Sequence, residues 1–310
     1  MLHSKNAVLA TALMTVAAFT ATTGTSQAET ARVRIPWTDQ TVFALSPTDS
    51  YVAEWMGLSS GWTIIGGPAT HIYAGSAGVF ETDSSGNIWM YNGTPYSWTE
   101  IGGPGAEFAE GGGHLYGLGP DRSYVAEWNG TPNSWTIVGG PAILIWAGTD
   151  GLIAMAPYGT TEDVWRYNGT PNDWSDISTF GDDFAVGSNT IYKVSNDFTT
   201  VSQWNGGTSW TPILTGADDI QSLVGGDNGV YIQDDTEASG EEYFKYDGTP
   251  SAWTQIGDLS SPIPDAESRT SLYGVTFDDS GPTGVDLYSG SGTSWTVIGG
   301  PADPALAAGD

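Results

Sequence analysis

The side chains able to do chemistry in this chain are mostly carboxylates and aromatics. Cysteine is absent, so neither disulfides nor thiolate chemistry is available. Of the three histidines, His3 lies ahead of an apolar N-terminal run, and His71 and His114 fall at non-equivalent places in the repeats set out below. No Gly-x-Ser-x-Gly, His-Glu-x-x-His, P-loop or dinucleotide fingerprint occurs. The 36 Asp and Glu against 8 Lys and Arg could supply a glycosidase pair, yet no acid stands apart beside a matching base. The acidic runs beginning at Asp234 and Asp278 lack the alternating ligands and terminal Glu of a calcium loop. The expectation is no catalysis, no cofactor and no dedicated metal site. A formal net charge of −28 repels phosphate backbones and disfavours nucleic acid as a partner.

The aromatics are more informative, because they recur at fixed places. An aromatic residue, Asn-Gly or a close variant, Ser-Trp-Thr and Ile-Gly-Gly-Pro follow one another repeatedly, most clearly in YNGTPYSWTEIGGPG (91–105) and WNGTPNSWTIVGGPA (128–142). The Trp of the Ser-Trp-Thr element falls at Trp62, Trp98, Trp135, Trp174, Trp210, Trp253 and Trp295, which makes seven units of about 40 residues. A Trp at one structural position in every unit belongs in the core between sheets. The aromatic before Asn-Gly, at Trp55, Tyr91, Trp128, Tyr167, Trp204, Tyr246 and Tyr288, ends a strand and could face either the core or a pocket.

Each unit divides into four short runs rich in Val, Ile, Tyr, Trp and Thr. In the third unit these are Phe108 to Gly111, His114 to Leu118, Ser123 to Trp128 and Ser134 to Val138, separated by Gly-Gly, Pro-Asp and Asn-Gly-Thr-Pro turns. Four antiparallel strands per unit make a propeller blade. The fold class is therefore all-β, a seven-bladed β-propeller over residues 39–310. The first unit lacks its innermost strand, and the C-terminal run 304–309 matches the missing piece, so the C-terminal strand is expected to close the ring by completing blade one.

Acidic residues gather in two kinds of loop. The connections from one unit to the next hold Glu107, Asp182, Asp183, Asp218, Asp219, Asp265, Glu267 and Asp303, and the loops between second and third strands add Asp49, Asp83, Asp121, Asp197, Asp234 and Asp278. In a propeller both loop types share one face, which is expected to be acidic. Asp182, Asp183, Asp218, Asp219, Asp265 and Glu267 are the candidates for docking a basic partner segment. The bland alternative is solubility alone.

The repeated unit resembles those of secreted actinobacterial propeller lectins and, more distantly, tectonins, tachylectin-2 and the Photorhabdus-type fucose lectins, over roughly residues 37–310. The resemblance implies non-catalytic sugar binding in shallow clefts between blades, with cell-surface glycans as partners and multivalency as the functional device. An aromatic face stacks on the C–H side of a pyranose while carboxylates accept its hydroxyl protons. On that basis the carbohydrate-binding candidates are Trp55, Tyr91, Trp128, Tyr167 and Trp204, with Asp49 and Asp121. Similar propellers are lectin subunits of the umbrella-shaped toxin particles of Streptomyces, which implies an adaptor protein as a further partner. Units four to six depart from the pattern, having lost Ile-Gly-Gly-Pro, and their bordering sites are expected to differ. The rival readings are a protein-binding propeller that grips a basic segment on its acidic face and, third, a glycan hydrolase.

Residues 1–28 read as a secretory signal, with Lys5, an apolar run from Ala7 to Ala21 and a small-x-small cleavage site at Ser26-Gln27-Ala28. Residues 29–38 form an N-terminal segment. The expected location is extracellular, with no membrane insertion.

Overall fold

The computed structural model describes residues 41–157, 163–178, 181–188, 190–226, 228–236, 240–278, 281–299, 302 and 306–308. The signal and N-terminal segment lie outside these residues, as does Asp303. Among the described residues there is no helix, and 28 strands form seven four-stranded sheets. In blade 3 the strands, from the inner to the outer, are Glu107–Gly111, His114–Leu118, Val125–Trp128 and Trp135–Gly139. Blade 1 takes its inner strand, Leu306–Ala308, from the C-terminus. It pairs antiparallel with Val42–Leu45, setting Val42 opposite Ala308 and Ala44 opposite Leu306. The ring is closed by the last strand of the chain.

The repeated motif is a latch between blades. In all seven blades the indole Nε1 of the Ser-Trp-Thr tryptophan donates to a carbonyl in the outer strand of the preceding blade, over 2.7–3.0 Å. The acceptors for Trp98, Trp135 and Trp174 are Ile65, Ile101 and Val138. Those for Trp210, Trp253 and Trp295 are Ile177, Ile213 and Ile256, and Trp62 closes the circle on Ile298. After Ile65, Ile101, Val138 and Ile298 a glycine leaves room for the ring; a Cβ at Gly102, for example, would come within 2.8 Å of the Trp135 indole nitrogen.

The Asn-Gly-Thr-Pro turn adds a second donor. Tyr96, Asn133, Asn172 and Ser251, each held at positive φ just after the proline, send their backbone N–H to the same carbonyls, those of Ile65, Ile101, Val138 and Ile213. Blades 4 to 6 lose Ile-Gly-Gly-Pro as a sequence but keep the latch, because the acceptor is backbone.

Around the channel the inner strands crowd together. A Cβ at Gly111 would strike the backbone of Gly148, and one at Gly148 the carbonyl of Val186, which explains why these strands end in glycine. Carboxylates also tie the inner strands of neighbouring blades together. Glu107 accepts from the N–H of Ile145, Asp183 from that of Leu223 and from the Trp146 side chain, and Asp265 from that of Leu306. These lie in blades 3, 5 and 7 and reach into blades 4, 6 and 1.

Candidate functional site: the clefts between blades

Cross-strand pairing lines up three side chains, from the second, third and outer strands, on the face that each blade turns toward its predecessor. In blade 4 the row is Ala154, Trp165 and Asp176; in blade 1 it is Ala44, Ala53 and Ile64. Between blades 3 and 4 the first two residues of the row bound a cleft of about 190 Å³, lined by Val125, Gly139, Pro141, Ala154, Trp165 and Trp174. Between blades 7 and 1 the equivalent cleft measures about 260 Å³ and is lined by Ala44, Ser46, Tyr51, Ala53, Trp62 and Val285.

The register extends the comparison around the ring. Blades 2, 4 and 6 carry an aromatic in the third strand and a polar residue at the outer edge: Glu81–Trp89–Glu100, Ala154–Trp165–Asp176 and Ile232–Phe244–Gln255. Blades 1, 3, 5 and 7 carry small or polar residues in the third strand and an apolar outer edge: Ala44–Ala53–Ile64, Gly117–Ala126–Ile137, Lys193–Ser202–Pro212 and Gly274–Asp286–Val297. In blade 3 the space is filled from within, for Phe108 and Tyr124 leave only about 10 Å³ beside Gly117 and Ala126. In blade 5 the ammonium of Lys193 lies 4.6 Å from the centre of the Trp210 ring, where a cleft would open.

Most of the aromatics expected to bind sugar are elsewhere. Trp55, Tyr91, Trp128 and Tyr167 are 1–7% exposed and belong to the cores between blades. Tyr91 and Tyr167 pack on the latch residues Trp98 and Trp174, with ring centroids 5.0 and 5.2 Å apart. A ring with both faces covered cannot stack on a sugar, so these four are corrected to core. Trp204 is half-buried, donates to the Gly207 carbonyl and carries Arg166 5.6 Å from its ring centre. Asp49 and Asp121 are exposed, and Asp121 spends Oδ1 on the amide and hydroxyl of Ser123 in its own loop. The clefts instead present Trp165 and Tyr51, each 37% exposed, with the latch tryptophans as their walls. The signal for Trp89, Trp165 and Phe244 is in the sequence, where each stands three residues before the Asn-Gly-type turn.

The acidic face is also less available than the loop count suggests. Asp265 and Glu267 sit within the inner strand Ile263–Glu267 rather than in a connection, and Glu267 accepts from the N–H of Asn228 in the neighbouring blade. Asp183 is a staple between strands, and burial pushes its carboxyl above the usual range. Asp219 is half-buried and donates its own N–H to Asp234, which is itself buried. Asp182 and Asp218 remain exposed. Burial pushes Glu107 up to about 7 despite Arg122 nearby, and pushes Glu81 to about 7 with the charge of Asp83 adding to it. Asp83 is held below the usual carboxylate range by bonds from Ser85, Asn87 and the Trp89 indole.

Comparison with solved structures agrees with this architecture. The chain is similar to a protein studied in the structural and mechanistic analysis of two prolyl endopeptidases, with a TM-score of 0.59 and 13% identity over 82% of this chain and 47% of that one. It is similar to an acylaminoacyl peptidase in complex with Z-Gly-Gly-Phe-chloromethyl ketone, with a TM-score of 0.58 and 10% identity over 83% and 50%. The Pyrococcus horikoshii acylaminoacyl peptidase gives 0.58 and 11% over 80% and 47%. This chain thus spans about half the length of these peptidases, and at such identities the likeness shows the fold alone. No family model and no curated protein matches the chain.

Proposed function

We propose that this protein is a secreted, non-catalytic glycan-binding module whose sugar sites are the clefts facing blades 2, 4 and 6. The observation that carries the reading is the cleft between blades 3 and 4. There Trp165, 37% exposed, lines the cleft over a floor of Ala154 and against a wall of Trp174, and Asp176, its cross-strand partner, stands exposed next to it on the outer strand. An aromatic plane edged by an acceptor is what a pyranose ring needs, apolar on one face and hydroxylated at its rim. At about 190 Å³ the space is smaller than the roughly 300–1,000 Å³ of drug-sized pockets and suits a single sugar ring. Three such rows on one rigid ring would raise weak single-site affinity by avidity on a glycan-coated surface.

A glycan array probed with the chain from residue 29 onward tests the reading. Binding that is weakened at least tenfold by Trp165→Ala is expected. An array blank for all sugars would overturn it, and hydrolysis of an arrayed glycan would favour the third reading. An adaptor-linked targeting role follows from the resemblance, and co-purification from a culture supernatant would test it.

A further inference from the structure

The row that blade 2 turns toward blade 1 differs from the other two aromatic rows in its innermost residue. Where blades 4 and 6 have Ala154 and Ile232, blade 2 has Glu81, so Trp89 lies between two glutamates in the row Glu81–Trp89–Glu100. Glu81 is 8% exposed, and its Oε2 is buried with no hydrogen-bond partner. Low exposure does not take this position out of the cleft, since Ala44 and Ala154, at 4% and 7%, line open clefts at the same place. The oxygen is wedged where a Cβ at Gly66 would lie 3.1 Å from it and equally close to the Trp98 indole nitrogen, which is already committed to the carbonyl of Ile65.

The surroundings are uniformly negative. Asp83 touches the Trp89 indole over 3.2 Å and stays ionised through its other bonds, Glu100 is exposed at the outer edge, and the charge of Glu54 reaches Tyr91 in the same interface. No Lys or Arg occurs between residues 35 and 121, so neither blade supplies a cation from that span. A buried carboxyl oxygen left unpaired is costly, most of all above about pH 7 where Glu81 is ionised, and a donor brought by a ligand removes that cost.

We propose that the cleft between blades 1 and 2 is a site for a sugar bearing a free amine, whose ammonium group bonds to Glu81 while its ring stacks on Trp89. This rests on the glycan-binding reading and adds a ligand class to one of its clefts. The carboxylates Asp83 and Glu100 strengthen the local field for a cation without needing to touch it.

The test is a titration of the chain from residue 29 onward with glucosamine, galactosamine and mannosamine and their N-acetyl counterparts, following the assigned indole N–H signals of Trp89 and Trp165. At least one amine sugar is expected to move the Trp89 signal and to bind there at least tenfold tighter than its N-acetyl form. Glu81→Gln, nearly isosteric, is expected to abolish that preference while leaving the rest of the spectrum and the response of Trp165 to neutral sugars intact. The proposal is overturned if Glu81→Gln leaves amine-sugar binding at Trp89 unchanged, or if neutral sugars move Trp165 while no amine sugar moves Trp89. If no sugar moves either signal, the broader glycan reading has failed as well.

Discussion

The clefts at junctions 3/4 and 7/1 occupy the same place in the ring and share the same frame, a latch tryptophan donating to the preceding blade and a small floor residue. They differ in what they show to solvent. Junction 3/4 offers Trp165 and Asp176, whereas junction 7/1 offers Ala53 and Ile64, with Tyr51 at its rim. The repeated letters of the sequence are thus the joinery, and the side chains that vary between junctions belong to the one row that the repeat leaves free. Ring geometry repeats the same junction around the ring, and under the proposed reading side-chain choice decides which junctions could hold a sugar.

The strongest way to break the comparison is to damage one junction alone. Truncation after Pro301 removes the pairing of Leu306–Ala308 with blade 1 and the Asp265 staple. Four buried residues, Ala302, Leu306, Ala307 and Ala308, and a strand interface are lost, and we expect a cost on the order of 5 kcal/mol, or about 10 °C in Tm by calorimetry. Junction 3/4 should still answer to sugar in the fraction that folds. An unchanged Tm would contradict closure by the last strand.

The next effect is electrostatic and falls on junction 3/4. The Glu107 carboxyl that staples blade 3 to blade 4 is raised to about 7 by burial. The folded state therefore binds its proton more tightly than the unfolded chain. The stabilisation is complete below the ordinary pKa of about 4.5 and is lost as pH rises through about 7. A shift of this size corresponds to about 3 kcal/mol from Glu107, and Glu81 acts in the same direction. Denaturant melts at pH 5 and pH 8 should show higher stability at pH 5, and Glu107→Gln should flatten the slope. A protein more stable at pH 8 would refute the assignment.

Smaller still is the difference between two latches. The carbonyl of Val138 receives both the Trp174 indole and the amide of Asn172, so Trp174→Phe leaves it satisfied. The Ile298 carbonyl receives the Trp62 indole at the junction where the two chain ends meet. Trp62→Phe is expected to cost about 1–2 kcal/mol and Trp174→Phe about 0.5–1 kcal/mol in urea melts. Equal costs would remove the distinction.

Much of the architecture could be read from the sequence because it rests on spacing. The strands of blade 3 were expected within two residues of where they lie, and the missing inner strand of blade 1 was visible as a surplus at the other end. The candidate site was less legible. Trp55, Tyr91, Trp128 and Tyr167 end strands as expected, but which face a strand-end ring turns outward depends on the neighbouring blade, and here that blade covers it. The carboxylates of Asp183, Asp265 and Glu267 looked like surface charge, yet their bonds run to backbone groups 39 to 41 residues away in the case of Glu267 and Asp265. The alternation of Ala53, Trp89, Ala126, Trp165, Ser202, Phe244 and Asp286 is plain once the units are aligned by register. The repeated letters do not reveal it, because they lie on the latches and turns rather than on this row.

The central claim, that the aromatic rows of even blades bind sugar and the small-residue rows do not, meets its most direct test in a titration with an array-selected neutral glycan. Trp165→Ala and Tyr51→Ala would be compared with the unaltered chain by calorimetry. The account predicts that Trp165→Ala removes a site or weakens it at least tenfold and that Tyr51→Ala leaves both affinity and stoichiometry unchanged. Loss of binding with Tyr51→Ala and none with Trp165→Ala would contradict it.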